Sequence, residues 1–416
     1  MRETGLRNPW WIVFGSMFGL MVGNGAVMQF TFGVFIKPLT AEFASDRGTI
    51  SAALTIGLVV TGLFTPLLGR LVDRYGIKRV VLPAIVLFAA SGAALGVFVN
   101  SALAFVVIYA MMGLFATGQT PLPYAKAVSG AFDAHRGLAL GVTMAGVGVG
   151  TVLLPLFAQF MVTNYGWRNA YLGLGAIVFL VAFPAVLFFV KEPAILRNDT
   201  RIRTAADGLT AREALKTGAF WMLAVTFFFV ALACAGMLAH SVAILTDRGI
   251  PAGTAIRAIS IGGAALIVGR LMSGWLLDRV YAPSVAAVFF AAPLAGIAVM
   301  LGSTSAEAGM AAVALVGLGL GAEVDMIAFL ICRYLGMRSF GEIYGYLFLG
   351  FMLGSGLGPF VMGLCFAKTG SYQIAMIGLG VGLLIAIGLM LRMGAYRFGA
   401  HAMGGVPIVE DATVPA

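Results

Sequence analysis

Arg270 lies inside the apolar run 258–277, AISIGGAALIVGRLMSGWLL, which is long enough to cross a bilayer. A charge at that depth costs at least about 2.5 kcal/mol on insertion scales, so the guanidinium must face protein or water. Its chemistry is the capture of an anion. Glu323 and Asp325 lie near the middle of another apolar run, 310–332. Carboxylates at that depth hold protons or pair with a cation. Two residues apart, they point about 200° apart around a helix, so both cannot face one cavity. Either is a proton-coupling candidate, and structural ion pairing is the alternative. Asn24 and Gln29 in the first run, and Gln119 and Tyr124 in the fourth, are uncharged groups suited to hydrogen-bonding a bound ligand. Packing explains Tyr124 equally well. Lys126 lies near a membrane interface, where snorkelling and substrate contact both remain open. His240 either packs or titrates near neutral pH.

Other chemistry is scarce. Cys234, Cys332 and Cys365 all fall in apolar segments, with neither a disulfide framework nor metal-ligand spacing. No nucleophile–base pair or phosphate-binding glycine loop stands in context, so neither an enzyme nor a cofactor is expected.

The elements that must position these groups follow from composition. The chain is 61% hydrophobic and 10% charged, with a mean hydropathy of +1.00. Soluble domains carry roughly 25% charged residues, so this is an all-α protein of the lipid bilayer. The N-terminal MRETGLRNP leads straight into an apolar segment without a cleavage site, so that segment is expected to remain as the first span. Twelve runs are placed at 11–35, 51–71, 80–98, 103–127, 137–161, 169–190, 219–245, 258–277, 284–301, 310–332, 341–366 and 372–393. Most Lys and Arg residues fall in loops on the side of the N-terminus. Lys37, Arg47, Arg168, Arg248, Arg257 and Lys368 fall on the other. That asymmetry predicts both termini inside. It also accounts for the net charge of +9 without a nucleic-acid partner.

The longest polar segment, 191–217, divides the chain into residues 1–190 and 218–393, six spans each, with a tail at 394–416 expected to be disordered. The halves resemble each other. Gly141, Gly146, Gly150 and Pro155 of span five recur at identical spacing as Gly345, Gly350, Gly354 and Pro359 of span eleven. Gly69, Asp73 and Arg74 recur, at an offset one residue greater, as Gly274, Asp278 and Arg279. Under this alignment Thr65 stands opposite Arg270, which is therefore an addition to the repeat, and Gln119 stands opposite Glu323. A six-plus-six duplication predicts a bundle pair rocking around a central site. The glycines either pack helices closely or let the halves slide.

The residues Gly69, Leu71, Asp73, Arg74, Gly76, Lys78 and Arg79 match the G-x-L-x-D-R-x-G-x-K/R-K/R signature, and the chain resembles the major facilitator superfamily over its whole length. The resemblance implies that fold and a loop that latches the cytoplasmic gate, with Asp73 pairing with arginines and a helix end. Asp278 and Arg279 are the second copy. RGLALG at 136–141, YGWRNAY at 165–171, LTAREALKTGAFWML before and into span seven, and GLGLGAEVDMIAFL in span ten resemble the monocarboxylate porter and oxalate/formate antiporter branch. That branch implies substrate carboxylate binding by an arginine of span eight, and Arg270 occupies the position. Span eleven holds no Lys or Arg, unlike the two-cation oxalate design, which implies a single carboxylate. Leu266 stands where the animal carriers have Asp, so a span-ten carboxylate would have to carry the proton. The expectation is a monomeric plasma-membrane carrier of a small monocarboxylate. Its second partner is a proton or a counter-anion; organic-anion exchange and efflux of an amphiphile remain alternatives.

Overall fold

The computed structural model describes residues 8–45, 47–132, 135–190 and 208–398. Among them the backbone is helical, apart from one antiparallel bridge between Gly208 and Gly336. Helices satisfy every backbone group internally, which lipid demands. Eleven helical stretches are long and apolar enough to cross a membrane. The 54-residue stretch Arg136–Phe189 supplies two of the twelve crossings, because Gly166 breaks it at φ 81°. Glycine holds that conformation without a Cβ clash. Gly370, its counterpart in the repeat, turns the chain between spans eleven and twelve at φ 68°.

Spans two (Arg47–Tyr75), three (Ile77–Phe98), seven (Gly218–Asp247), eight (Ala252–Leu277), nine (Ala282–Gly302), ten (Ala306–Tyr334), eleven (Phe340–Thr369) and twelve (Gln373–Leu391) are continuous. Spans five and six are 136–165 and 167–189. Spans one and four depart from the expected single helices. Span one runs Trp10–Met21, then a π-helical stretch Gly25–Phe30, then Phe32–Glu42. Span four runs Ala102–Ala116, a 3-10 turn Thr117–Gln119, then Pro121–Ala131. Thr120 is extended, as a residue before proline prefers, and Pro121 opens the new helix where its missing N–H costs nothing. The two interruptions meet: a Cβ on Gly23 would lie 2.8 Å from the Gln119 carbonyl oxygen.

The signature after span two is also less of a loop than expected. Helix continues through Tyr75, Gly76 alone turns at φ 88°, and Lys78 and Arg79 already belong to span three.

Within the first six spans, span one packs on span five, and spans three and six pack together. Within the last six, span eight packs on ten and span seven on eleven. Span eleven crosses to span two, and span five to span eight. The repeated glycines make these crossings close. A Cβ at Gly137 would lie 2.4 Å from the Gly274 oxygen, and at Gly141 2.9 Å from that of Arg270. At Gly341 and Gly345 it would reach the Gly69 oxygen and Pro66 Cα, each at 2.5 Å. About two and a half turns further along, Gly150 abuts Met21 of span one, and Gly354 abuts Phe228 of span seven. Large apolar side chains such as Phe98, Leu103, Leu180, Val288 and Leu391 remain exposed, the surface of a protein solvated by lipid.

Residues 191–207 of the expected linker and 399–416 of the expected tail lie outside the described residues. The rest of both is ordered. Leu209 N donates to Leu335 O at 2.9 Å, and Thr210 and Glu213 form a reciprocal cap on the short helix Ala211–Ala214. That cap holds the Glu213 carboxyl below the usual carboxylate range. Residues 394–398, expected to be disordered, dock instead. Arg397 N and Phe398 N donate to Arg333 O, and the Tyr281 and Tyr334 hydroxyls donate to Gly394 O.

Candidate functional site

Two sets of polar groups lie where the halves meet. The first is at the end of the molecule that carries Arg70, Asp73 and Arg74. A helix leaves its first N–H groups unbonded and its N-terminus partly positive. Asp73 accepts from two such groups of span eleven, Gly341 N and Glu342 N, each at 2.9 Å. Asp278 does the same for span five, accepting from Gly137 N at 2.7 Å and Leu138 N at 2.9 Å. Each half thus caps a helix of the other through the repeated aspartate.

The two caps differ in one respect. Lys126, on the second helix of span four, pairs with Asp73 at 2.7 Å and also donates to Val72 O. It is 4% exposed, so it does not snorkel. The cation beside Asp73 is therefore this lysine, where arginines were expected. Arg74 lies over the Tyr75 ring, and Arg279 lies over Trp275 and donates to its carbonyl. Lys78 donates to Leu187 O at the end of span six. Arg79 is exposed. Arg70 adds an exposed ion pair to Glu342.

The second set lies deep in the molecule. Arg270 is 6% exposed, and its Nη1 donates across the halves to Met144 O of span five at 2.9 Å, while its Nε has no partner. Gly141 of span five and Gly321 of span ten both press on the backbone of span eight here, which places Arg270 at a three-helix contact. Glu323 and Asp325 are fully buried, and none of their four carboxylate oxygens has a hydrogen-bond partner among the described residues. Arg270 is the cation that acts electrostatically on both, without closing to an ion pair. The structural ion pair considered for them is absent among the described residues.

The carboxylates diverge as their spacing requires. Glu323 has Cys234 of span seven within electrostatic range, and Asp325 has Tyr344 of span eleven. Tyr344 is fully buried, its hydroxyl lacks a partner, and it senses Arg270 as well. In sequence it is one aromatic among several in GEIYGYLFLGF, and only its depth and its orphan hydroxyl distinguish it.

In the first half, Tyr124 donates to the Gln119 oxygen at 3.1 Å, and both are buried beside the interruption in span four. Asn24 is 5% exposed at the interruption in span one, with its side-chain oxygen unpartnered. Gln29 is half-buried on the π-helical stretch. None of these four hydrogen-bonds to Arg270. His240 bridges Tyr372 Oη and Pro359 O at 3.3 and 3.0 Å.

Residues 10–359 match the family model of the Major Facilitator Superfamily. The chain belongs to the Major Facilitator Superfamily. It is a multi-pass membrane transporter, not an enzyme. Among superfamily relatives, rat monocarboxylate transporter 13 is 28% identical over 394 residues, 92% of this chain and 88% of that protein. Mouse monocarboxylate transporter 11 is 25% identical, covering 88% of this chain and 83% of the relative. YhjX of Escherichia coli, an uncharacterized transporter of the superfamily, is 25% identical over 84% of this chain and 86% of its own. The fold is also that of the E. coli fucose:proton symporter FucP, with a TM-score of 0.72 at 15% identity over 92% and 97% of the two chains.

Proposed function

We propose that the protein is a secondary active carrier of a small organic monocarboxylate, coupled to protons and working by alternating access. The observation that carries this reading is Arg270. It is a buried guanidinium with an unbonded Nε, tied across the halves to Met144 O, and it has no carboxylate closed upon it. A substrate carboxylate would supply the missing acceptor in bidentate form. Between residues 341 and 366 span eleven brings no second cation, Lys368 lying in its last turn, which favours one carboxylate over two. The relatives named monocarboxylate transporters support the same class. Asn24, Gln29, Gln119 and Tyr124 would line the first-half side of the path, and Glu323 or Asp325 would hold the proton.

In this reading the basic end faces the cytoplasm, with both termini, and the membrane is the plasma membrane. The caps of Asp73 and Asp278 then close the inner gate. Bound substrate neutralises Arg270, so no unpaired charge is carried through the occluded state, where it would be costly.

The test is uptake by purified protein in liposomes, using a panel of acetate, lactate, pyruvate and benzoate. Arg270→Lys and Arg270→Ala should each lower uptake about 100-fold, equivalent to about 3 kcal/mol, with the protein still in the membrane. Normal uptake by both variants overturns the assignment. An inward proton gradient should raise wild-type uptake. A flat pH profile with strong trans-stimulation would identify an exchanger.

A further inference from the structure

Three groups, on spans eight, ten and eleven, have unmet bonding capacity: Arg270 Nε, both oxygens of Asp325, and the Tyr344 hydroxyl. All three are buried and in electrostatic reach of one another, and none hydrogen-bonds another. Glu323 also senses Arg270, but it is Asp325 and not Glu323 that reaches Tyr344, while Glu323 reaches Cys234 of span seven. The helix that supplies Tyr344 begins at Phe340, and its first N–H groups, those of Gly341 and Glu342, are the ones held by Asp73. Tyr344 is thus less than one turn from the cap.

Resting on the carrier reading, we propose that Asp325 is the coupling carboxylate and Tyr344 its positioning partner, and that Glu323 takes no part in coupling. With the site empty, ionised Asp325 balances Arg270. When a substrate carboxylate occupies Arg270, Asp325 takes a proton from the aqueous path. The neutral acid then donates to Tyr344 Oη or accepts from it. The O–H bond formed on Asp325 is broken, and the proton released, when substrate leaves on the other side. Because Tyr344 belongs to the first turns of span eleven, this change is felt where Asp73 grips the helix.

The groups facing Asp325 support this division. Span eight brings Arg270 and span eleven Tyr344. Span seven brings Cys234, which is in range of Glu323 rather than Asp325. Span nine carries no ionisable side chain in Ala282–Gly302. On span four, Tyr124 and Lys126 are engaged by Gln119 and Asp73. On span five, Arg136 donates to Phe132 O near the basic end.

The experiment compares Asp325→Asn, Glu323→Gln and Tyr344→Phe in liposomes, using whichever acid of the panel the wild type transports best. Two readouts separate coupling from binding: accumulation driven by a proton gradient, and exchange of labelled for unlabelled acid at equal pH. Asp325→Asn should lose gradient-driven accumulation at least tenfold and keep exchange within about threefold. Tyr344→Phe should shift the pH profile of accumulation and keep exchange. Glu323→Gln should retain both activities and the wild-type pH profile. Proton-driven accumulation retained by Asp325→Asn, or lost by Glu323→Gln with exchange intact, overturns the assignment and leaves the carrier reading standing. Where Asp325→Asn does not fold, an unchanged pH profile in Tyr344→Phe overturns it. A wild type that moves no acid of the panel overturns the carrier reading itself.

Discussion

Four carboxylates sit where helices of this transporter meet, and they are treated in opposite ways. Asp73 and Asp278, at the basic end, have every oxygen bonded to a helix N-terminus. Glu323 and Asp325, at depth, have no bonded oxygen at all. The first pair resembles a finished closure, where both oxygens of each aspartate are met by N–H groups at the positive end of a helix. The second pair is unmatched, and burying a polar group without a hydrogen-bond partner costs free energy. Under the proposed carrier reading, the difference separates where this molecule rests from where it waits for a ligand or a proton.

The largest effect should come from obstructing the closure. A Cβ on Gly69 would sit 2.0 Å from the Gly341 carbonyl oxygen, backbone against backbone. Gly69→Val should therefore abolish closure of the basic end. A single cysteine introduced on span five should gain alkylation from that side, and an unchanged labelling rate would break the comparison. Next comes Asp73→Asn. It removes a charge that holds two N–H groups and Lys126, and should destabilise the closed state by about 3 kcal/mol. Asp278→Asn loses two charge-assisted bonds but no buried lysine, and should cost about half as much. Equal losses of melting temperature in the two variants would show that Lys126 contributes nothing. Glu323→Gln should have the opposite sign, raising the melting temperature or leaving it unchanged, since it replaces a buried carboxyl group that has no hydrogen-bond partner. The smallest effect belongs to Arg70→Ala. Its ion pair with Glu342 is 62% exposed on the arginine side, so the melting temperature should not change.

Much of this was legible in the chain. The twelve runs were long and apolar, and Gly141, Gly345, Asp73 and Asp278 repeated at nearly one offset. That offset is now visible as paired contacts with Arg270, Pro66 and two helix ends. What escaped depends on close approach between distant segments. Nothing local ties Lys126 to Asp73, which are brought together by the packing of span four against span two. Spans one and four were hydrophobic enough to read as unbroken. Their interruptions follow from proline geometry and from Gly23 pressing on the Gln119 carbonyl. Tyr344 was hidden among neighbouring aromatics, because hydroxyl satisfaction is a property of surroundings rather than of spelling.

The bridge between Gly208 and Gly336, with the bond from Leu209 to Leu335, fastens the segment entering span seven to the turn between spans ten and eleven. Residues 394–398 fasten to Arg333 beside that turn. The last six spans thus carry both their own strap and their own clasp. A gene cut within 191–207 should accordingly yield two polypeptides that reassemble when expressed together. The strap should travel with the second piece, since its attachments among the described residues lie there.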